Sequence, residues 1–375
     1  MNIQMVDVKS QYLKIKEEID RGIQEVLDTT AFINGPKVKQ FQQEFESYLH
    51  VKHVIPCANG TDALQIAMMA AGLMPGDEVI VPAFTYVATA EVIALLGLTP
   101  VMVDVDADTF NINIDGIKKA ITSKTKAIVP VHLYGQAADM EAIMKIAEAH
   151  KLWVIEDNAQ AIGADYIFSD GRKVKTGTIG HIGCTSFYPS KNLGCYGDGG
   201  AIYTNDDVLG QLLHKIANHG QSVRYYHDVV GCNSRLDSIQ AVVLSAKLPH
   251  LDTYCAERIK VANYYDAALS EVEGLETPFR APYSTHVFHQ YTLKVKDGRR
   301  DELKKYLDEQ KIPNMIYYPV PLYKQEAFKA SSNGLEFLEN TELLCKEVIS
   351  LPIHTEMNEE QLAYICNKVK SLFKH

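Results

Sequence analysis

No Cys-x-x-Cys pair occurs in the 375 residues, and the seven cysteines, at 57, 184, 195, 232, 255, 345 and 366, are odd in number. That spacing argues against a disulfide framework or a zinc knuckle and fits a reducing cytoplasm. No metal site is expected. Positive charge is in deficit: 37 Lys and Arg against 47 Asp and Glu leave a net charge of −10. Such a molecule repels polyanions, which disfavours a nucleic-acid surface or a polybasic membrane patch. Residues 79–103 carry one charge, Glu91, but Pro82, Pro100 and several threonines divide them into strand, helix and strand. They lack the uninterrupted apolar length, about 20 residues, of a membrane span. The N-terminal twenty residues contain acidic side chains from Asp7 onward and no apolar core of signal-peptide length, so no export is expected. No Gly-x-Gly-x-x-Gly follows an apolar run, and a P-loop is also absent, which weighs against nicotinamide or P-loop chemistry.

What is present is an ordinary globular composition, 46% hydrophobic and 22% charged, in a chain long enough for two to three units of about 150 residues. Apolar residues at 12, 15, 19, 23, 26 and 27 predict an amphipathic N-terminal helix, and a second helical pattern covers 38–49. Short apolar runs then alternate with helical patterns: 54–56, 79–82, 100–104, 127–131 and 152–157. This alternation predicts an α/β fold with a mostly parallel sheet covered on both faces, and ligands in such sheets bind beyond the carboxyl ends of the strands. Helices are expected from Arg235 to about Leu248 and from about Tyr254 to Leu269, a strand over 287–295, a helix over 301–310 and helical structure in the last thirty residues. Residues 1–250, including the N-terminal helix, read as a large cofactor domain, and 251–375 as a smaller α+β domain. No internal repeat is visible.

Three stretches at predicted strand ends carry chemistry. Asn59-Gly60-Thr61-Asp62 precedes a helical run, where backbone N–H groups and a hydroxyl can receive an anion, or where the residues simply cap the helix. Asp157 ends an apolar run followed by Asn158-Ala159-Gln160. It suits a metal ligand, a general base, the partner of a cationic heterocycle nitrogen, or a helix cap. Lys191 lies in a loop of small residues, five positions after Ser186 and before the cluster Gly197-Asp198-Gly199-Gly200, where glycine admits a bulky ligand close to the backbone. An anion cradle, a strand-end carboxylate and an open amine together meet the needs of pyridoxal phosphate: phosphate donors, a partner for the pyridinium nitrogen, and an amine for the aldehyde.

The stretches CANGTDALQIA, VIVPAFTYVATAE, PVMVDVD, VHLYGQAADM, VIEDNAQAIGA, CTSFYPSKNLGCYGDGGAIYTND, NHGQ, NSRLDSIQA and YYPVPLYKQ resemble, over nearly the whole chain, the DegT/DnrJ/EryC1/StrS family of nucleotide-sugar aminotransferases. The resemblance implies an aspartate-aminotransferase-like (fold type I) enzyme, dependent on pyridoxal phosphate. It implies Lys191 as the Schiff-base lysine and Asp157 as the carboxylate facing the pyridinium nitrogen. Gln160 is implied as partner of the phenolic oxygen and Tyr86 as the aromatic residue on the ring. Thr61, Ser186 and the backbone of Gly60 and Asp62 correspond to the phosphate cradle, and Asn233 would reach the phosphate from a second subunit, so a homodimer with a shared site is expected. One family branch, the sugar 3-dehydratases, has His in place of the lysine; Lys191 points to transamination.

Within the family the chain is most like bacterial enzymes that aminate C3 of UDP-2-acetamido-2-deoxy-3-keto-hexuronates, with L-glutamate as donor and 2-oxoglutarate as by-product, for surface polysaccharide or lipopolysaccharide synthesis. Ser190, Arg235, Tyr317 and Tyr318 correspond to substrate-contacting positions, and a guanidinium suits a uronate carboxylate or a diphosphate. Arg235 can also be read as a plain helix-start arginine. The departures are Tyr317-Tyr318 where the family often has His-Tyr, Phe32 where it often has Tyr, and a longer insert at 168–181. They leave a dTDP-linked 3-keto-6-deoxyhexose as the competing substrate. A non-catalytic regulatory binder on the same fold is the alternative from another class.

Overall fold

Five of the short apolar runs form strands: β1 (His53–Cys57), β2 (Glu78–Pro82), β3 (Thr99–Val103), β4 (Thr125–Ile128) and β5 (Trp153–Asp157). With β6 (Ile182–Ser186) and β7 (Gly200–Thr204) they make a seven-stranded sheet of order β1-β7-β6-β5-β4-β2-β3. β7 runs antiparallel to both neighbours, and the pairings from β6 through β3 are parallel. The sheet is therefore mixed but mostly parallel, as expected for an α/β chain. This computed structural model describes residues 3–329, 335 and 337–373.

Side chains alternate across the sheet with the two-residue period of a strand. Val79, Val81, Ala127, Ile155 and Ile202 join an apolar cluster with helices Gly60–Ala70, Ala88–Leu95 and Asp207–Ala217. Val54, Ala201 and Tyr203 pack on the other face with helices Pro36–Leu49 and Ser238–Lys247, as Ile80, Ile128 and Val154 do with helix Met140–His150. Both faces are thus covered, which explains why the strands read as near-continuous apolar runs.

A second, three-stranded antiparallel sheet comprises β8 (Leu275–Glu276), β9 (Tyr291–Val295) and β10 (Val348–Leu351). Tyr291, Leu293, Val295 and Ile349 pack there against Tyr265, Leu303, Leu307 and Ile365 of three helices. Helix Leu251–Leu269 spans the two cores, with Leu251 and Cys255 in the larger and Val261 to Leu269 in the smaller.

Three boundaries differ from expectation. The N-terminal helix is two helices, Val8–Lys14 and Lys16–Thr29, because Ile15 departs from helical geometry at φ −124°. The helix expected from Arg235 begins at Ser238, leaving Arg235 in the segment before it. The strand expected over 287–295 starts only at Tyr291. Phe288 adopts a left-handed φ of +47°, and 287–290 bond instead to the segment around Gly135, through Val287 N to Gly135 O and Gln290 N to Tyr134 O.

Candidate active site

The carboxyl ends of β1, β2, β5 and β6 open on one cavity of about 690 Å³. At the end of β1, Asn59 caps helix Gly60–Ala70 by accepting the Asp62 N–H at 2.8 Å. The helix ladder begins with Ala63 N donating to Asn59 O, so the Gly60 and Thr61 N–H groups precede it and are available to an anion. Asp62 N, expected in the same cradle, is already engaged by Asn59. Glycine is required here sterically: a Cβ on Gly60 would lie 2.7 Å from Ser186 Cβ, and one on Gly200 would lie 2.5 Å from Asn59 O. These glycines let the helix start press against the ends of β6 and β7, bringing Thr61 and the Ser186 hydroxyl onto one wall.

Asp157 is 6% exposed and lines the cavity. Its Oδ2 accepts from Thr89 Oγ1 at 2.8 Å and its Oδ1 from Ala159 N at 3.1 Å. Gln160 Oε1 accepts from Tyr134 N at 2.9 Å, and its Nε2 donates to the Tyr318 hydroxyl at 3.1 Å. An amide nitrogen carries two hydrogens, so one remains for a ligand. Tyr86 lines the cavity with its side chain exposed.

Lys191 sits in a loop that closes on itself: Cys195 N donates to Phe187 O at 2.8 Å and Lys191 N to Tyr188 O at 2.8 Å. Asn192 Nδ2 ties the loop to Val287 O at 3.1 Å. Buried Lys247 donates to Gly194 O at 2.7 Å, and burial lowers its ammonium to about 8. The Lys191 amine itself has no ion pair or hydrogen bond among the described residues. Burial pushes it down to about 8, opposed by the attraction of the Asp157 carboxylate. His289, on the same cavity, is pushed well below its ordinary value by burial first and then by the charges of Lys191 and Arg258. The wall beside the amine is therefore uncharged imidazole.

Ser190, Tyr317 and Tyr318 also line this cavity. Phe32, Asn233 and Arg235 do not. Asn233 is exposed and bridges Asn218, Ser238 N donates to Phe32 O at 2.9 Å, and Arg235 borders a separate surface cavity with Asn34 and His214. The structure adds Thr89, Tyr134, Tyr188, His289 and Gln290 to the neighbourhood. Thr89 and Tyr134 lay within stretches that resembled the family. His289 and Gln290 were hidden in a segment expected to be strand. The insert at 168–181 contributes strand Lys173–Lys175, paired with Asp165–Ile167, and a loop whose Gly177 and Ile179 N–H groups donate to Glu156.

Two free helix-start N–H groups, two hydroxyls, a fixed carboxylate and an unpartnered amine suit a group with a phosphate, a basic ring nitrogen and an aldehyde, so pyridoxal phosphate fits this donor set. The family described as DegT/DnrJ/EryC1/StrS aminotransferase matches residues 13–370. The chain is 48% identical over 377 residues to a "pleiotropic regulatory protein" of Geobacillus stearothermophilus, with 100% of both chains covered. It is 45% identical over 364 residues to the UDP-2-acetamido-2-deoxy-3-oxo-D-glucuronate aminotransferase of Pseudomonas aeruginosa, covering 97% of this chain and 98% of that one. The solved structure of NtdA from Bacillus subtilis with bound cofactor PMP superposes with a TM-score of 0.89 at 33% identity, covering 96% of this chain and 82% of that one. Aminotransferases of this family use pyridoxal phosphate, of which the PMP bound to NtdA is the aminated form. With a helix start, a carboxylate and a lysine meeting at the strand ends, and a match that runs from residue 13 to 370, the chain belongs to the DegT/DnrJ/EryC1/StrS aminotransferase family.

Proposed function

We propose that the protein moves the amino group of L-glutamate to the 3-keto group of a nucleotide-linked sugar, of the UDP-2-acetamido-2-deoxy-3-keto-hexuronate kind, in the cytoplasm and for bacterial surface polysaccharide synthesis. The observation that carries the reading is Lys191, an unpartnered amine held at about 8 in a cavity it shares with Asp157. The printed name of the Pseudomonas relative supports the sugar class.

Bound pyridoxal phosphate supplies an electron sink for charge developing at the amino-bearing carbon. Lys191 would hold the cofactor through its amine, and that amine would take and return the proton at that carbon. A lowered proton affinity suits this alternation, because the amine must be neutral to accept the proton. Asp157 would pair with the ring nitrogen, Tyr86 would cover the ring, and the free hydrogen of Gln160 Nε2 would meet the phenolic oxygen. Gly60, Thr61 and Ser186 would hold the phosphate, with the Asp62 backbone beside them. Ser190, Tyr317 and Tyr318 border the space for the sugar nucleotide.

Asn233, Arg235 and Phe32 take part through a second copy of the chain. Supporting this is a set of exposed apolar side chains near them: Ile33, Val223, Tyr225, Tyr226 and Val230, the last 85% exposed. Apolar exposure on that scale favours a protein partner. The division into units 1–250 and 251–375 is supported by the cluster around the three-stranded sheet, although Leu322, Tyr323 and Phe328 pack in the large core and Leu344, Cys345 and Val348 pack with Phe84 and Tyr134.

Two other readings have specific support. A 38% identity over 368 residues to the dTDP-3-amino-3,4,6-trideoxy-alpha-D-glucose transaminase of Streptomyces venezuelae supports a dTDP-linked 3-keto-6-deoxyhexose. The regulatory name of the Geobacillus relative favours a binder without turnover. Mass spectrometry of products from UDP- and dTDP-linked 3-keto sugars, each offered with glutamate, separates all three: an amino sugar from the UDP substrate is expected, one from the dTDP substrate alone moves the assignment, and none from either, with cofactor bound, replaces the enzyme by the binder.

A further inference from the structure

The Asp157 carboxylate sits at the last residue of β5, where a flat group can turn about a soft terminal torsion. Both of its oxygens are nevertheless fixed, Oδ1 by the Ala159 N–H at 3.1 Å and Oδ2 by the Thr89 hydroxyl at 2.8 Å. The first donor is local. The second comes from 68 residues away, on helix Ala88–Leu95, and the bond is buried. A threonine within a helix commonly turns its hydroxyl to a carbonyl three or four residues back. Thr89 donates across the cavity wall instead, while the hydroxyl of buried Thr85, four residues earlier, has no hydrogen-bond partner. Thr89 is 0% exposed, so it touches no ligand itself. It also follows Tyr86 by three residues, so one short segment carries both the cavity tyrosine and the donor to the carboxylate.

We propose that Thr89 is a positioning residue that sets the plane of the Asp157 carboxylate and, through it, the grip of the site on the ring nitrogen of pyridoxal phosphate. The proposal rests on the functional reading above, in which Asp157 faces that nitrogen. With two of roughly four acceptor positions occupied, the carboxylate presents the remaining ones in a fixed direction.

The test compares the cofactor-loaded full chain with Thr89→Val and Thr89→Ser, alone and in an Asp157→Asn background, reading the dissociation constant for pyridoxal phosphate and the pH titration of its visible band. Thr89→Val is expected to weaken cofactor binding about tenfold and to displace the titration midpoint, Thr89→Ser to restore both, and Thr89→Val to add less than about twofold once Asp157 is Asn. Unchanged binding and midpoint in Thr89→Val would overturn the proposal. So would equal behaviour of the Ser and Val variants, which assigns packing rather than donation, or an undiminished effect in the Asn background. If Thr89→Val does not fold, Thr89→Ala is read against the same criteria. Failure of the unaltered protein to bind the cofactor overturns the functional reading and the proposal with it, whereas binding that ignores Thr89 overturns the proposal alone.

Discussion

Glu156 and Asp157, neighbours at the end of β5, send their carboxylates to opposite faces of the sheet. Asp157 opens on the cavity, whereas Glu156 is 0% exposed and accepts from His132 Nε2 at 2.8 Å, Gly177 N at 2.8 Å and Ile179 N at 2.7 Å. His132 Nδ1 accepts from Ala138 N at 3.1 Å, which leaves Nε2 as the donor. The His132 backbone N–H in turn donates to Asp157 O at 3.0 Å. One carboxylate is thereby presented to a ligand while its neighbour fastens the strand end from behind.

Glu156→Ala is expected to cost about 3–5 kcal/mol, because it leaves His132 and several backbone N–H groups buried without an acceptor. Glu156→Gln keeps the volume and one acceptor oxygen and should cost less. Urea unfolding of the cofactor-free variants reads both; a loss under about 1 kcal/mol in the Ala variant would mean that water replaces the carboxylate.

Lys191→Met should abolish turnover and yet stabilise the cofactor-free protein. The folded-state value of about 8 lies below the ordinary 10.5, so at pH below 8 the native state carries a buried charge at a cost of about 3 kcal/mol. Between pH 8 and 10.5 the unfolded chain binds more protons than the folded one, so native stability rises with pH. The advantage of the Met variant is therefore full below pH 8 and fades by pH 10.5, which denaturant titrations across that range will follow.

Gly60→Ala should weaken cofactor binding by at least about tenfold, since the new methyl would meet Ser186 Cβ at 2.7 Å and lift the helix start off the phosphate cradle. Absorbance titration measures the affinity. Far-ultraviolet circular dichroism should remain that of the unaltered protein, because the clash is confined to the junction.

The proposed sharing of the site between two copies of the chain makes a quantitative prediction for mixed variants. Lys191→Ala and Asn233→Ala should each be inactive alone. A mixture refolded in equal amounts should recover about a quarter of the normal activity, because half the dimers are hybrid and each hybrid has one intact site. No recovery would mean that Asn233 does not serve the neighbouring site.

The parallel core and the ends of its strands were legible because Val79–Val81, Ala127–Ile128 and Val154–Ile155 must all be buried on both faces, and few other arrangements bury such runs. Gly60, Asp157 and Lys191 were legible because each follows such a run or sits among small residues. Residues 287–290 were misread as strand. Their alternating pattern is real, but Phe288 takes a left-handed φ, and Gly135 allows the approach, since a Cβ there would lie 2.8 Å from Phe288 N. A hydropathy pattern contains no term for that contact.

The local order of residues thus determined the strand runs, the helix start at Asn59-Gly60 and the identity of the amine and carboxylate, because burial period, capping and chemical type are properties of adjacent positions. Only the tertiary structure decided that Thr89 meets Asp157, that Tyr318 reaches Gln160 from the segment between β9 and β10, and that Phe32, Asn233 and Arg235 stand away from the cavity of their own chain. Those relations depend on how far separate elements approach and turn when packed, and that is set by the fit of whole surfaces rather than by neighbours in the chain.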